Sequence, residues 1–449
     1  MDTVIQIAQI IFILSVLVIL HEFGHYLPAK LFKVRVEKFY LFMDPWFSLV
    51  KKKIGDTEWG IGWLPIGGYV KLSGMMDESM DKEQMKQPAQ SWEFRAKPAW
   101  QRLIIMLGGV TVNVLLAWFI FTIMYATVGQ KYIATEKIQE NGLAFGEVGQ
   151  KVGFMNGDKI IAIDDKPVQN NFKKASIDVL FAEKVEVLRN GENKTLLITD
   201  NHRNEIISAE GKNFIAPRFN KVIIEEVAPK SGASEAKLQK GDVITAINNV
   251  KFQYLDEFRA EASKNKNKEV VLNIIRNNAE ILVNVKVDDK GSVGFRNKLP
   301  SDEEFKKAYL IDNKLSFAQA IPAAIKESYS QIVYKIKEFK LLLRPSTGAY
   351  KKVKSPIGIT KMLPTEWDWE FIWNFTAMFS IGLAFMNLLP IPGLDGGHAI
   401  FTIAEMITGK TLSDKNAEIV QTVGMVILLS LMALTFGKDI YEIVAAKFF

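Results

Sequence analysis

The sequence predicts a polytopic α-helical membrane protein with four spanning helices and two β-rich domains inserted between the second and third spans. Four long stretches carry almost no charge, and a long polar segment that contains an internal repeat separates the second stretch from the third. Hydrophobic residues make up 48% of the chain, yet 24% of its residues are charged. This mixture is typical of apolar spans that alternate with a water-soluble insert.

The four apolar stretches are long enough, or nearly so, to cross a membrane as helices, which takes about 20 residues. They cover residues 4–20, 103–130, 371–404 and 419–436. No positive charge precedes the first stretch and no small-residue cleavage site follows it, so we expect a retained span and not a signal peptide.

Basic residues are concentrated in the loop that follows the first span. They are Lys30, Lys33, Arg35 and Lys38 at one end and Arg95, Lys97 and Arg102 at the other. Because cytoplasmic loops are enriched in Lys and Arg, we expect this loop in the cytoplasm and both termini and the inserted domains outside it. The net charge of +6 then reflects contact with membrane lipid, and no motif indicates a nucleic acid partner.

A twelve-residue pattern occurs twice in the polar segment, at residues 154–165 and 238–249. In each copy a Gly-Asp pair predicts a turn, an alternating apolar run predicts a strand, and an Asp-Asp or Asn-Asn pair predicts a second turn. Two copies of a compact β-rich unit are implied. The second copy resembles PDZ domains, and the first resembles a more divergent PDZ domain.

Two further segments have a recognisable pattern. Residues 59–71 predict two short strands about Pro65, with Gly67 and Gly68 giving backbone freedom, and this hairpin either is purely structural or offers an edge to an extended substrate. Residues 316–343 predict an amphipathic helix that lies on the membrane surface or serves as a linker.

The strongest chemical signal is the motif His21-Glu22-Phe23-Gly24-His25 at the end of the first span. On a helix, residues four apart share one face, so both imidazoles can reach one Zn²⁺. Glu22 then lies beside the open coordination position, where it can take a proton from the attacking water. The chain has no cysteine and four histidines, so a metal must be held by His and carboxylate ligands.

Asp395 is the best candidate for a third metal ligand. It is the single acidic residue of the third apolar stretch, where an unpaired charge is costly. His398 is expected to support the site or to lie at the interface, and His202 to be an ordinary surface residue of the insert. The sequence thus predicts a zinc site formed by His21, His25 and Asp395.

Asparagines and prolines surround these candidates. Pro390 and Pro392 interrupt the third stretch and free backbone groups at membrane depth, which is tolerated where protein or water lines a site. Asn387 is predicted to bind the backbone of a peptide substrate or to make a polar contact between spans. Asn113, which follows Gly108-Gly109 in the second span, is likewise predicted either to contact a substrate or to mark a place where these glycines allow close helix packing.

Together the motif at His21, the Asn-x-x-Pro block that leads to Asp395, and the paired PDZ-like units resemble the site-2 protease family of intramembrane zinc metalloproteases over nearly the whole chain. The resemblance implies Zn²⁺ on His21, His25 and Asp395, Glu22 as general base, and substrate contacts from Asn387, Gly67, Gly68 and Tyr69. It also implies a bacterial inner-membrane enzyme that cleaves single-span proteins of the anti-sigma-factor type after an upstream site-1-type protease has trimmed them, or remnant signal peptides. The PDZ-like pair would exclude untrimmed substrates.

The expected division of the chain follows from these assignments. The membrane catalytic part comprises residues 1–128 and 370–449, the PDZ-like domains residues 129–215 and 216–300, and a linker with the amphipathic helix residues 301–369. Two other functions are compatible with parts of the sequence. A non-catalytic scaffold that uses the PDZ-like domains has no need of the zinc motif, and a metal transporter has no need of the paired insert.

Overall fold

The computed structural model describes residues 2–65, 67–75, 87–410 and 414–448, which form two compact units. The first unit comprises Met1–Gly129, Lys314–Lys340 and Lys352–Phe449, and the second comprises Gln130–Asn313 and Leu341–Lys351. The helices are α1 (Asp2–Leu31), α2 (Ala99–Thr127), α3 (Thr135–Ile138), α4 (Glu147–Val152), α5 (Phe172–Phe181), α6 (Asp200–Ser208), α7 (Gly232–Glu235), α8 (Leu255–Lys264), α9 (Asp302–Tyr309), α10 (Phe317–Leu342), α11 (Pro356–Thr360), α12 (Trp369–Leu388), α13 (Asp395–Thr408) and α14 (Asp414–Phe448). The strands are β1 (Val36–Leu41), β2 (Met43–Ile54), β3 (Thr57–Leu64), β4 (Tyr69–Leu72), β5 (Gln130–Ile133), β6 (Leu143–Phe145), β7 (Lys159–Ile163), β8 (Lys166–Pro167), β9 (Lys184–Arg189), β10 (Glu192–Leu197), β11 (Ile215–Pro217), β12 (Val222–Val227), β13 (Val243–Ile247), β14 (Val250–Lys251), β15 (Glu269–Arg276), β16 (Ala279–Lys286), β17 (Phe295–Asn297) and β18 (Leu310–Asn313).

Four helices of the described chain are long and apolar enough to cross a membrane, as the sequence predicts. They are Asp2–Leu31, Ala99–Thr127, Trp369–Leu388 and Ile419–Glu442. The third predicted stretch does not form one continuous helix, because α12 ends at Leu388 and α13 begins at Asp395. Pro390 and Pro392 cause this break, since neither can donate a backbone hydrogen bond to a continuing helix.

The first and third spanning helices, α1 and α12, pack against α2. Ala117 and Phe121 of α2 share a buried cluster with Ala377 and Ile381 of α12, and Ala324 of α10 belongs to the same cluster. Helix α10, which corresponds to the predicted amphipathic helix, therefore buries one face against the spans. Its position relative to a membrane surface stays a prediction.

Two glutamines of α1 explain how polar residues are accommodated in the first apolar stretch. The side-chain amides of Gln6 and Gln9 donate hydrogen bonds to backbone carbonyls of the segment before α12, at 2.6 Å to Leu363 and at 3.0 and 2.9 Å to Pro364 and Glu366. These carbonyls lie between α11 and α12, outside any helix, so the glutamine amides provide the hydrogen-bond donors that helix formation would otherwise supply.

A four-stranded sheet in the order β2-β3-β1-β4 follows α1, and it corrects the predicted hairpin of residues 59–71. β3 pairs with β2 in an antiparallel hairpin and with β1 in a parallel arrangement, while β4 has β1 as its one partner among the described strands. The turn at Gly55-Asp56 closes the hairpin, and the Pro65 segment carries the chain past β1; Ile66 lies outside the described residues. The two strands predicted about Pro65 are confirmed as β3 and β4, but their pairing as a hairpin was wrong, because the sequence pattern did not indicate β1 and β2.

The second unit contains the sequence repeat as two equivalent β structures. β7, β8, β9 and β10 form one sheet, and β12 to β17 form a six-stranded sheet in which β13 occupies the place of β7. Both Asp164-Asp165 and Asn248-Asn249 adopt positive φ angles at the turn after the repeated strand. Short polar side chains tolerate this left-handed backbone, which explains these residue types at the turn.

An equivalent Arg–Asp ion pair occurs in each copy of the repeat. In the first, Arg189 donates to Asp158 at 2.8 and 2.7 Å, and in the second, Arg276 donates to Asp242 at 2.7 and 2.6 Å. Each buried carboxylate also accepts a backbone amide three residues earlier in the chain. The repeated sequence therefore specifies a repeated structure down to side-chain contacts.

Candidate metal centre

Helix α1 presents His21 and His25 on one face, one turn apart. Their ring centroids are 4.9 Å apart, and their Nε2 atoms are 3.4 Å apart. Both residues are buried, with 8% and 6% of their surface exposed. The i, i+4 spacing in the sequence thus produces two adjacent, inward-facing imidazoles.

Asp395 reaches the same point from the other end of the chain. It is the first residue of α13, directly after the proline-containing break, and the positive end of the helix dipole favours its carboxylate. The loop folds tightly back on the helix start, since a Cβ at Gly396 would lie 2.2 Å from the Leu389 carbonyl oxygen. This compact turn holds the carboxylate against α1.

The three candidate ligand atoms form a nearly equilateral triangle. Asp395 Oδ2 lies 3.4 Å from His21 Nε2 and 3.3 Å from His25 Nε2, which completes a triangle with the 3.4 Å separation of the two nitrogens. A tetrahedral Zn²⁺ with ligands at about 2.0–2.1 Å keeps neighbouring ligand atoms about 3.3–3.4 Å apart. The triangle therefore fits three corners of a zinc site and leaves a fourth corner open.

The environment of Asp395 Oδ2 agrees with a bound cation. The atom is buried and, among the described residues, has no hydrogen-bond partner. A buried carboxylate oxygen without a donor is costly, and a metal ion satisfies it. The same three residues are the one group in the described part of the chain that has metal-ligand spacing.

Hydrogen bonds hold both imidazoles in place. His25 Nδ1 lies 2.8 Å from the backbone carbonyl oxygen of Ile105 in α2. That contact favours a proton on Nδ1 and leaves the Nε2 lone pair free for a metal. His21 Nδ1 lies 3.1 Å from Asn113 Nδ2, also in α2. Contacts from α2 at the two Nδ1 atoms thus orient both imidazole rings.

Glycines allow this close approach of α2 to α1. A Cβ at Gly24 would lie 2.5 Å from the carbonyl oxygen of Gly108, so the two backbones are in direct contact. A Cβ at Gly109 would lie 2.5 Å from His25 Nε2 and 2.6 Å from His21 Cε1. The sequence suggests helix packing at these glycines, and the structure adds that Gly109 faces the histidines.

Glu22 lies between the two histidines and beside the sheet. Its half-buried side chain lies near Asp395 and near the backbone amide of Val70 in β4. Gly68 permits this proximity, since a Cβ there would lie 2.5 Å from Val18 of α1. Strand β4 therefore runs next to the candidate general base.

The other predicted substrate contacts occupy different positions. The Tyr69 hydroxyl donates to Asp44 at 2.9 Å, and its ring stacks on Tyr40. Burial raises the pKa of Tyr69, and the bond to Asp44 raises it further, so its side chain is a neutral donor within the sheet. Gly67 has open space where a Cβ would be, with its nearest neighbour 3.9 Å away.

Asn387 lies at the end of α12, with its Nδ2 atom 3.2 Å from His21 Nε2. The structure brings this asparagine to the ligand triangle, where a side-chain amide can contact a bound peptide. His398 lies on the first turn of α13, outside the triangle. His202 belongs to the second unit and caps α6 through contacts with Thr199.

Sequence reasoning missed the backbone groups of the site. The carbonyl of Ile105 and the amide of Val70 contact His25 and Glu22, and every residue type carries these groups. No residue type at either position could signal the contact. The close approach of the backbone at Gly68 to α1, in contrast, is indicated by the Gly67-Gly68 pair in the sequence.

A family model described as "Peptidase family M50" matches residues 9–431. The chain is also similar to bacterial proteins that carry the name "Putative zinc metalloprotease". One from Neisseria meningitidis is 25% identical over 454 residues, which cover 96% of this chain and 97% of that protein. Another, from Vibrio cholerae, is 27% identical and covers 95% and 96%, and one from Rickettsia conorii is 26% identical and covers 98% and 99%.

Proposed function

The chain belongs to peptidase family M50, the site-2 protease family of zinc-dependent membrane proteases, and from this premise we propose that His21, His25 and Asp395 hold its catalytic zinc while Glu22 acts as general base. The observation that carries the proposal is the triangle of ligand atoms with edges of 3.3–3.4 Å. Membership in a peptidase family removes the support for a non-catalytic scaffold. A metal transporter would place ligands along a pathway, whereas the described residues contain one group with metal-ligand spacing.

The chain's own residues supply the proton transfers of peptide hydrolysis. Zinc bound at the triangle supplies a Lewis acid that polarises the scissile carbonyl and lowers the pKa of water. Glu22 takes a proton from the attacking water and delivers it to the leaving amine. The Val70 amide lies beside the Glu22 carboxyl that makes these transfers. The fully buried Ile105 carbonyl and the glycine contact of α1 with α2 keep the ligands rigid.

Strand β4 offers the means to present an extended substrate. Among the described strands it lies at the edge of its sheet, where it pairs with β1 on one side and passes near Glu22. A substrate helix must unwind before cleavage, and its extended segment can pair with such an edge. Gly67, Gly68 and Tyr69 then contribute backbone contacts, while the Asn387 amide, close to the zinc ligands, contacts the substrate backbone.

The substrate class we propose is a single-span membrane protein, either of the anti-sigma-factor type after trimming by an upstream site-1-type protease or a remnant signal peptide. Support comes from a site placed at the ends of membrane-spanning helices and from the basic loop after α1. These features also support a bacterial inner-membrane location with the second unit and both termini outside the cytoplasm. The two repeated β structures serve as PDZ-like filters against untrimmed substrates.

Replacing Glu22 by Gln tests the chemical assignment. The variant keeps a similar shape and all three metal ligands, but it cannot accept a proton, so zinc content should be unchanged while cleavage falls by about 10²–10⁴-fold. Cleavage is measured on a single-span reporter in cells, and zinc on the purified protein. As a matched control, Glu261→Gln replaces an acidic residue of α8 that pairs with Lys264 at the surface.

The reporter should be offered with and without its outer domain. We expect the wild-type protein to cleave the trimmed reporter only. An active Glu22→Gln variant would rule out the general base assignment, whereas equal cleavage of trimmed and untrimmed reporters would rule out the filter alone.

A further inference from the structure

The side-chain amide of Asn113, next to His21, has a hydrogen-bond contact at only one of its two ends among the described residues. The residue is fully buried in α2. Its Nδ2 atom lies 3.1 Å from His21 Nδ1, while its Oδ1 atom has no hydrogen-bond partner among the described residues. A buried amide oxygen ordinarily has a donor, so this orientation leaves a requirement unmet.

A metal on His21 Nε2 would determine which end of the Asn113 amide has to face His21 Nδ1. A neutral histidine that gives Nε2 to a metal carries its proton on Nδ1, and that proton needs an acceptor. In the orientation described above, Asn113 presents a donor to His21 Nδ1. Rotation of the amide by half a turn exchanges its oxygen and nitrogen, which have nearly the same shape. Oδ1 then occupies the position 3.1 Å from Nδ1 and accepts the hydrogen bond.

We propose that Asn113 is a positioning residue for His21 and accepts a hydrogen bond from His21 Nδ1–H when Nε2 holds zinc. The proposal rests on the proposed function, because it takes His21 as a ligand. The neighbouring ligand supports it, since His25 Nδ1 lies 2.8 Å from the Ile105 carbonyl oxygen. The Asn113 side chain would thus accept a hydrogen bond from His21 Nδ1–H, just as the backbone carbonyl of Ile105 accepts one from His25 Nδ1–H.

The position of Asn113 is fixed from a second helix. The Ser380 hydroxyl of α12 donates to the backbone carbonyl of Asn113 at 2.8 Å. This contact joins α12, which also carries Asn387, to the residue behind His21. The backbone that carries the acceptor side chain is therefore held by both α2 and α12.

Zinc affinity, measured by competition with a chelator on purified full-length protein, tests the proposal. Asn113→Leu and Asn113→Ala remove the acceptor, and we expect zinc to bind about 10–100-fold more weakly to both. Asn113→Asp keeps an oxygen that accepts the same bond, so its zinc affinity should stay near that of the wild type. Thr122→Val is the control, because Thr122 is a buried polar residue of α2 whose hydroxyl, among the described residues, donates to its own helix at the Trp118 carbonyl.

Thermal unfolding identifies variants that fold. Wild-type zinc affinity in the Leu or Ala variant would overturn the proposal, and so would an equal loss of affinity in folded Asn113→Asp, which would indicate a packing role. Failure of the proposed function has a different signature, namely that the wild-type protein binds no zinc or that His25→Ala binds zinc as tightly as the wild type.

Discussion

Gly109 sets how closely α2 can approach the histidine pair of α1. A methyl group at this position would overlap His25 Nε2 and His21 Cε1, at 2.5 and 2.6 Å. Neither ring can turn away freely, because His25 is bonded to the Ile105 carbonyl and His21 contacts Asn113. The absence of a side chain at Gly109 is therefore a condition for the ligand geometry.

Gly109→Ala should weaken zinc binding by about 10–100-fold and reduce cleavage at least as much, because the rings must shift away from the ligand triangle. Zinc affinity and reporter cleavage measure the effect. Gly437→Ala is the matched control, since this glycine of α14 has nothing within 4 Å of an added Cβ, and alanine is the better helix former by about 1 kcal/mol. Undiminished zinc affinity in Gly109→Ala would contradict the proposed ligand geometry.

At the scale of elements, one ion pair stabilises each copy of the repeated β structure. In the second copy, Asp242 has 1% of its side chain exposed, and Arg276 contacts it with two nitrogens. Burial works to raise the pKa of Asp242, but the bonds from Arg276 and from the Gln239 amide outweigh it and hold the pKa below its usual range. The pair thus favours the folded state while the carboxylate is charged.

Arg276→Leu should destabilise the second β structure by about 3 kcal/mol, because it leaves a buried carboxylate unpaired. Hydrogen exchange of residues 222–297 in the full-length protein reports this loss. The control Arg296→Leu removes exposed pairs with Glu225 and Glu226 and should change stability by less than about 1 kcal/mol.

The same pair gives a dependence on pH. The folded-state pKa of Asp242 is depressed, so its contribution is present above the unfolded-state pKa of about 3.9 and is lost as pH falls through the lower folded value. Wild-type protection of this region should therefore decline below about pH 4, and the Arg276→Leu variant should show less of this decline. Equal pH dependence in the two proteins would contradict the assigned role.

The elements also show what the sequence could and could not predict. The spans and the repeat follow from local patterns, namely uncharged stretches and the repeated turn at Asp164-Asp165 and Asn248-Asn249. The order of the four strands near the site does not, because the parallel pairing of β1 with β3 joins residues that share no local pattern. For that reason the local sequence of residues 59–71 predicts that its two strands pair with each other, whereas both pair with β1.

At the scale of the whole molecule, the candidate site joins the two ends of the chain. His21 and His25 could be predicted as a pair from their spacing, and Asp395 from the cost of a lone charge in an apolar stretch. The contacts that orient these ligands could not be predicted, because the Ile105 carbonyl and the Val70 amide are backbone groups whose place depends on tertiary packing. Residue chemistry thus indicates the ligands, and packing determines their geometry.

Zinc content of the Asp395→Asn variant tests the central claim most directly. Asparagine keeps the shape of the side chain but is a much weaker ligand than carboxylate, while Glu405→Gln, in the same helix and paired with Arg102, serves as the control. After dialysis against a chelator that leaves the wild type with about one zinc per chain, we expect the control to retain its metal and Asp395→Asn to lose it while remaining folded. Full zinc retention by Asp395→Asn would show that helices at the two ends of the chain do not share the metal.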